Sequence, residues 1–280
     1  MQSIYFVDSD FTYELSTQSI LSIRYATDGF SFCVHDAHDK LMVFVHEPYA
    51  ADSREAVIAQ LKNYLVNDVI LNLRFKKVYL MPCFSERTII PGALFNKANV
   101  ATLYSVNQEI TPDDTLLYHH IEKIDAYLVE TINTTLNNFV WEHFPVLQIV
   151  NEAYPFIQGA LTKALHGSEQ IFLNIQADFF DILFIKDTRV QLFNSFNHRT
   201  ATDIVYFLLN CIKECDIQKE KLHVSVFGAA TNDEKLKELL STYLPTPYFA
   251  KEPILNGILP GKEINSSYFI HLLNLHRCGL

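Results

Sequence analysis

The chain has 280 residues, about two ordinary domains' worth, and 49% of them are apolar, enough for one large core or two moderate ones. Its 22 basic against 32 acidic residues leave a formal net charge of −10, which speaks against nucleic acid or an anionic membrane surface as partner. There are 8 glycines, about 3% against a usual ~7%, and no GxGxxG, GxxxxGK[ST] or GxSxG, so the common nucleotide loops and the nucleophile elbow are absent.

The opening MQSIYFVDSDF carries Asp8 and Asp10 and has neither the basic start nor the apolar stretch of a secretory signal. No run approaches the ~18 apolar residues of a membrane span. The five cysteines (33, 83, 211, 215 and 278) are odd in number and scattered, as expected of reduced thiols in a cytoplasm. A cytoplasmic protein without membrane insertion is expected.

From Leu21, apolar residues alternate at Leu21, Ile23 and Tyr25, at Phe30, Phe32 and Val34, and at Leu41, Val43 and Val45, with turn residues between the runs. This period of two predicts three antiparallel strands. Asp52-x-x-Glu55 then opens a helix whose apolar face is Val57, Ile58, Leu61, Tyr64 and Leu65. A short strand at 78–81 and a connector at 91–99 precede three predicted strands at 101–106, 116–121 and 126–132. A helix near 134–144, a strand at 146–151 and a helix at 155–165 lead to a polar break, His166-Gly167-Ser168-Glu169.

Residues 171–196 again read as three strands with tight turns, and Thr200-x-x-Asp203 caps a helix bearing Ile204, Leu208, Cys211, Ile212 and Cys215 on one face. Laid on the first copy at an interval of 150, Asn174 falls on Arg24, Gln176 on Ala26 and Asp178 on Asp28. A strand-strand-strand-helix unit thus occurs twice. A strand at 222–227, a turn beginning at Gly228, a helix with Leu236, Leu239 and Leu240, and a last helix over 263–275 complete the chain. The expected domains are 1–167, with an inserted β subdomain at about 85–132, and 168–280.

Two β-β-β-α halves followed by a strand, a glycine turn and a leucine-rich helix resemble the actin-like ATPase (ribonuclease H-like) fold, of α/β class. VSVFGAATNDEKLKELL (224–240) is similar to that superfamily's adenosine loop. Strands inserted in the first half resemble the actin-like component of type IV pilus assembly. LSIRYATDGFSFCV, QLFNSF and the T-x-x-D helix are similar to an uncharacterised bacterial domain-of-unknown-function family over nearly the whole chain. The resemblance implies a nucleotide cleft between the halves, with an Asp in the first strand of each half ordering Mg²⁺ and glycine-rich turns holding phosphates.

The chain departs from that pattern. The strand positions hold Arg24 and Asn174, and the turns are Ala-Thr-Asp-Gly and Ala-Asp-Phe, with Gly29 their single glycine. Asp28 and Asp178 stand in the turns, where a carboxylate repels phosphate unless a metal intervenes. The adenosine loop's second glycine is Ala229. Two-metal hydrolysis of the ribonuclease H kind lacks its carboxylates as well. The expectation is a non-catalytic, pseudo-ATPase scaffold or adaptor with an unidentified protein partner, no catalytic residue, no metal site and no cofactor. The alternative is a nucleotide-binding protein or slow ATPase that holds ATP and Mg²⁺ through Asp28, Gly29, Asn174, Asp178 and Gly228.

Other strings have plainer readings. His35-Asp36-Ala37-His38-Asp39 reads as a hairpin turn rather than a metal site, because the second copy has Lys186-Asp187-Thr188-Arg189 there. Cys211 and Cys215 fall on an apolar stripe, and His119 and His120 point to opposite faces of a strand. Asn194, Ser195 and Arg199 end a strand before the capped helix. They either satisfy turn and cap groups or form, with Arg24, a polar patch facing the cleft that would take a small ligand. Tyr268, Phe269, Leu272, Leu273 and His276 have helical spacing, for core packing or for docking a partner.

Overall fold

A computed structural model describes residues 2–229, 233–250 and 266–278. The first part contains β1 (Ile4–Val7), α1 (Tyr13–Ser16), β2 (Ile20–Ala26), β3 (Gly29–His35), β4 (Leu41–Pro48), α2 (Arg54–Asn67) and β5 (Lys77–Pro82). Then come β6 (Arg87–Pro91), α3 (Val100–Tyr104), β7 (Asp114–Ile121), β8 (Ala126–Asn133), α4 (Thr134–His143), β9 (Leu147–Ile149) and α5 (Ala153–Lys163). The later part contains β10 (Glu169–Ile175), β11 (Phe179–Lys186), β12 (Arg189–Asn197), α6 (Ala201–Glu214), β13 (Leu222–Gly228), α7 (Glu234–Tyr243), β14 (Tyr248–Phe249) and α8 (Ile270–Asn274). Among the described residues no helix is long and apolar enough to cross a membrane.

A six-stranded sheet runs β1-β4-β3-β2-β5-β9 and a five-stranded sheet β12-β11-β10-β13-β14. Each is a three-stranded antiparallel meander that crosses by a helix to a strand parallel to its first: β5 beside β2, β13 beside β10. The duplication is visible in register. Arg24 faces Ser31 and Asn174 faces Asp181, so adding 150 to both members of the first pair gives the second.

Alternation places the two faces of each sheet. Leu21, Ile23, Phe30, Phe32 and Val34 face α2 and α4 through Leu61, Leu65, Leu136 and Val140. Ile171, Leu173, Phe180 and Ile182 do the same against Leu208, Ile212, Leu236 and Leu240 of α6 and α7. The opposite faces share one central core. Cys33 and Phe44 from the first sheet, with Phe172, Leu183 and Phe227 from the second, close on Phe156 and Ile157 of α5 and on Phe269, Leu272 and Leu273.

Several local expectations change. Residues 101–106 lie at α3 and the turn after it, because Val100 and Tyr104, four apart, both bury against Ile90 and Val129 of a three-stranded β6-β8-β7 sheet. The strands β1, β6 and β14 escape pattern reading, being only 4, 5 and 2 residues long. Ser53, not Asp52, caps α2, accepting from the Ala56 N–H at 3.2 Å. Thr200 and Asp203 form the capping box of α6 as expected. Positions 263–265 of the last predicted helix lie outside the described residues; the rest is 3₁₀ at Ser266–Phe269, then α8, then 3₁₀ at Leu275–Arg277.

Candidate functional site between the halves

The hairpins β2–β3 and β10–β11 bring their tips together between the two sheets, and Thr27 Oγ1 donates to Asp178 Oδ2 at 3.1 Å. Just before the first tip lies Arg24, 1% exposed. Its Nη2 donates to Asp28 Oδ1 at 3.2 Å and to Gln176 Oε1 at 3.1 Å, so one guanidinium ties both halves. The guanidinium carbon stands 4.4 Å from the centre of the Tyr268 ring, and the Tyr268 hydroxyl donates to Asp28. A protein cation is thus fixed between the two turns, held by charge, hydrogen bonds and an aromatic face.

On the second half, Asn174 Nδ2 donates to both Glu152 oxygens, at 2.7 and 2.8 Å, and to Asp181 Oδ2 at 3.1 Å. The Asn174 oxygen faces the other way and accepts from Gln176 Nε2 (3.1 Å) and His271 Nε2 (3.2 Å). His271 therefore carries its proton on Nε2. Asp181 Oδ1 receives Arg87 Nη2 at 2.5 Å and Ser195 Oγ at 2.6 Å, with both charged side chains fully buried. The duplicated sites diverge here, since the first half places Ser31 Oγ 2.8 Å from His46 Nδ1 where the second has Asp181 and Ser195. Asn151 Nδ2 donates to Glu130 Oε2 at 2.8 Å beside this network.

Burial sets the ionisation. It lifts Glu152 to about 7, with the Asp181 charge adding to it, and Glu130 to about 7 against the Asn151 hydrogen bond. Burial pushes His271 and His35 down to about 3 and His46 and His119 to about 4. The four histidines bind protons more weakly folded than unfolded, so their contribution is present above pH 6.5 and is lost progressively as pH falls from there through about 4 and 3. The two glutamates act oppositely, favouring the fold below 4.5 and losing that contribution as pH rises toward 7. Between 4.5 and 6.5 the histidines prevail, and stability should fall on acidification by roughly 2–3 kcal/mol per pH unit. Urea midpoints at pH 7, 6 and 5 check this; a midpoint that rises toward pH 5 contradicts it.

Of the residues singled out in the sequence, Arg24, Asp28, Asn174, Asp178 and Ser195 converge on this network. The two glycines answer to packing. A Cβ on Gly29 would stand 3.0 Å from Glu47 O, and one on Gly228 would stand 2.1 Å from Ile175 O. The Gly228 N–H donates to Ser267 Oγ at 3.1 Å, placing the 266–278 segment against the predicted adenosine loop. Asn194 and Arg199 do not join. Asn194 is exposed on the edge strand β12, its Oδ1 taking the Ser195 N–H. Arg199 is exposed in a groove of about 560 Å³ shared with Asp178, His198 and Phe207. The anion site expected at the start of α6 is filled by Asp203 Oδ2, which accepts the Thr200 and Arg199 N–H groups at 2.8 and 3.0 Å.

Sequence reasoning missed Glu152, Asp181 and Arg87. Asp181 carried a readable signal, a single charge inside the apolar run FFDILF. His35 stacks on His276 (3.9 Å between ring centres), while Asp39 pairs with His276 and Arg277, so the HDAHD turn anchors the 266–278 segment. His120 faces Asp125 and His119 the Tyr154 ring.

Two like-ordered sheets closing on a shared central core define an actin-like ATPase fold. The chain is similar to a Bacteroides thetaiotaomicron VPI-5482 protein described as having actin-like ATPase fold and unknown function, with 22% identity over 90% of this chain and 99% of that one, TM-score 0.80. It is also similar in fold to a chain of the PilM–PilN type IV pilus biogenesis complex (10% identity, 94% and 99% covered, TM-score 0.61). A third likeness is to the ethanolamine utilization protein EutJ from Carboxydothermus hydrogenoformans (11% identity, 94% of each chain, TM-score 0.50). The chain belongs to the family described as protein of unknown function (DUF3822), whose sequence model matches residues 8–246. No curated protein matches it.

Proposed function

We propose that this chain is a pseudo-ATPase: an actin-like scaffold or adaptor that binds a protein partner and carries out no phosphoryl chemistry. The observation that carries the reading is the Arg24 guanidinium fixed between Asp28, Gln176 and Tyr268 beside hairpin tips joined by Thr27 and Asp178. A polyphosphate entering there would have to break buried, charge-assisted contacts and face Asp28 and Asp178. Support for a protein partner comes from the PilM–PilN structure, a complex containing a chain of similar fold.

The test is a thermal melt with and without millimolar Mg·ATP or Mg·ADP. A ligand at a hundred times its Kd stabilises the folded state by about 2.7 kcal/mol, a readable shift in the midpoint. No shift is expected. A shift overturns the reading in favour of the alternative, nucleotide held beside Asp178, and Asp178→Ala should then abolish it. The positive counterpart is a partner that co-purifies equally with and without nucleotide.

A further inference from the structure

Behind the central core, α5 and α8 border a second cavity of about 390 Å³ that meets the cleft network only at His271. Its size falls within the range of small-molecule pockets, roughly 300–1,000 Å³. Phe156, Ala160, Phe227 and Ile270 supply apolar walls. In a chain of net charge −10, its lining includes Lys163 and Arg277 and, among the described residues, no Asp or Glu. Arg277 is already neutralised by Asp39, through Nε at 2.9 Å. Lys163 makes no ion pair among the described residues, and its ammonium lies 5.0 Å from the centre of the Phe227 ring.

Gly159 adds an independent observation. It sits inside α5, where glycine costs roughly 0.5–1 kcal/mol relative to alanine. Among the described residues a Cβ built on it would meet nothing within 4 Å, so none of them requires a glycine there. Gly159 is exposed and stands among the residues that line the cavity. Burial lifts the Cys278 thiol on the same wall to about 11, which keeps it neutral and suits reversible rather than covalent capture.

We propose that this pocket binds an amphiphilic monoanion, a carboxylate on an apolar body, with the body between Phe156, Phe227 and Ile270 and the carboxylate on Lys163. The occupant lies against His271, which hydrogen-bonds Asn174 of the cleft network. The site is separate from the cleft and does not depend on whether nucleotide enters it.

Calorimetric titration of the full chain with decanoate, decanol and decylamine, each below its aggregation limit, tests this. Decanoate should bind saturably at one site, with decanol about tenfold weaker and decylamine weaker still, since a hydrogen-bonded charge contact carries about that factor. Lys163→Gln should bring decanoate to the level of decanol. Gly159→Leu should abolish binding without lowering the thermal midpoint. If Gly159→Leu does not fold, Gly159→Ala serves instead, with a several-fold loss of affinity and a raised midpoint expected. Absence of saturable decanoate binding to the unaltered chain, or equal binding by the Gly159 variant, overturns the proposal.

Discussion

Asp181→Ala is expected to cost about 3–5 kcal/mol of stability, the usual consequence of leaving a buried charge without its counter-ion. Asp181 is fully buried and accepts from Arg87, Ser195 and Asn174. Its removal deprives the buried Arg87 guanidinium of its ion-pair partner and leaves it the Phe84 carbonyl oxygen on Nη1. The Arg87 Nε has no hydrogen-bond partner among the described residues, and the guanidinium carbon stands 4.9 Å from the centre of the Phe179 ring. At roughly 2–4 °C per kcal/mol for a chain of this order, the midpoint should fall by about 10 °C. Replacing both partners, as Arg87→Met with Asp181→Leu, should recover most of the loss, because neither charge then needs solvation. Urea denaturation of the two single variants and the double one decides the matter. Strict additivity would mean that Arg87 and Asp181 do not depend on each other.

Gly228→Ala should be nearly as damaging, for a steric reason. At φ +93° Gly228 lies in the left-handed region, and the new Cβ would stand 2.1 Å from the Ile175 carbonyl oxygen where β13 runs beside β10. The strands would have to part there, and the hydrogen bond to Ser267 would go with them. A loss of about 3 kcal/mol or more is expected, from strained backbone and disrupted packing together. Gly167→Ala supplies the control: φ is +71° there, but among the described residues nothing lies within 4 Å of the added carbon. Its cost should stay near 1–2 kcal/mol, the backbone term alone. Equal losses in the two variants would refute the close contact at Gly228.

The duplicated framework was legible in the sequence because half-buried strands advertise themselves by alternation, and the interval of 150 survives in register from Arg24 and Ser31 to Asn174 and Asp181. The capping box at Thr200 and Asp203 is local chemistry and was equally readable. Short strands such as β14 are made by the neighbours they pair with, so pattern cannot find them. The site was half visible. Arg24 and Asn174 stood out against the resemblance, whereas Glu152, Arg87 and Tyr268 reach the cleft from three distant stretches of chain and acquire meaning only through contact. Their positions depend on α5, on the start of β6 and on the 266–278 segment, none of which has a fixed spacing to the hairpins. Arg199 failed for another reason: its neighbour Asp203 filled the helix start first.

The 266–278 segment also sets an order of events during synthesis. Cys33 Sγ reaches the Leu272 carbonyl oxygen across 239 positions, and Phe269 lies edge-on to Phe44. The side of the first sheet that faces the central core is therefore complete only after residues 266–275 have left the ribosome. Until then Phe44 lacks the Phe269 ring that packs on it, however early the β2–β3–β4 meander has formed. Contacts this distant in sequence close slowly. Final consolidation of the first half is thus limited by arrival of the residues that cover it and not by the rate at which its own strands pair.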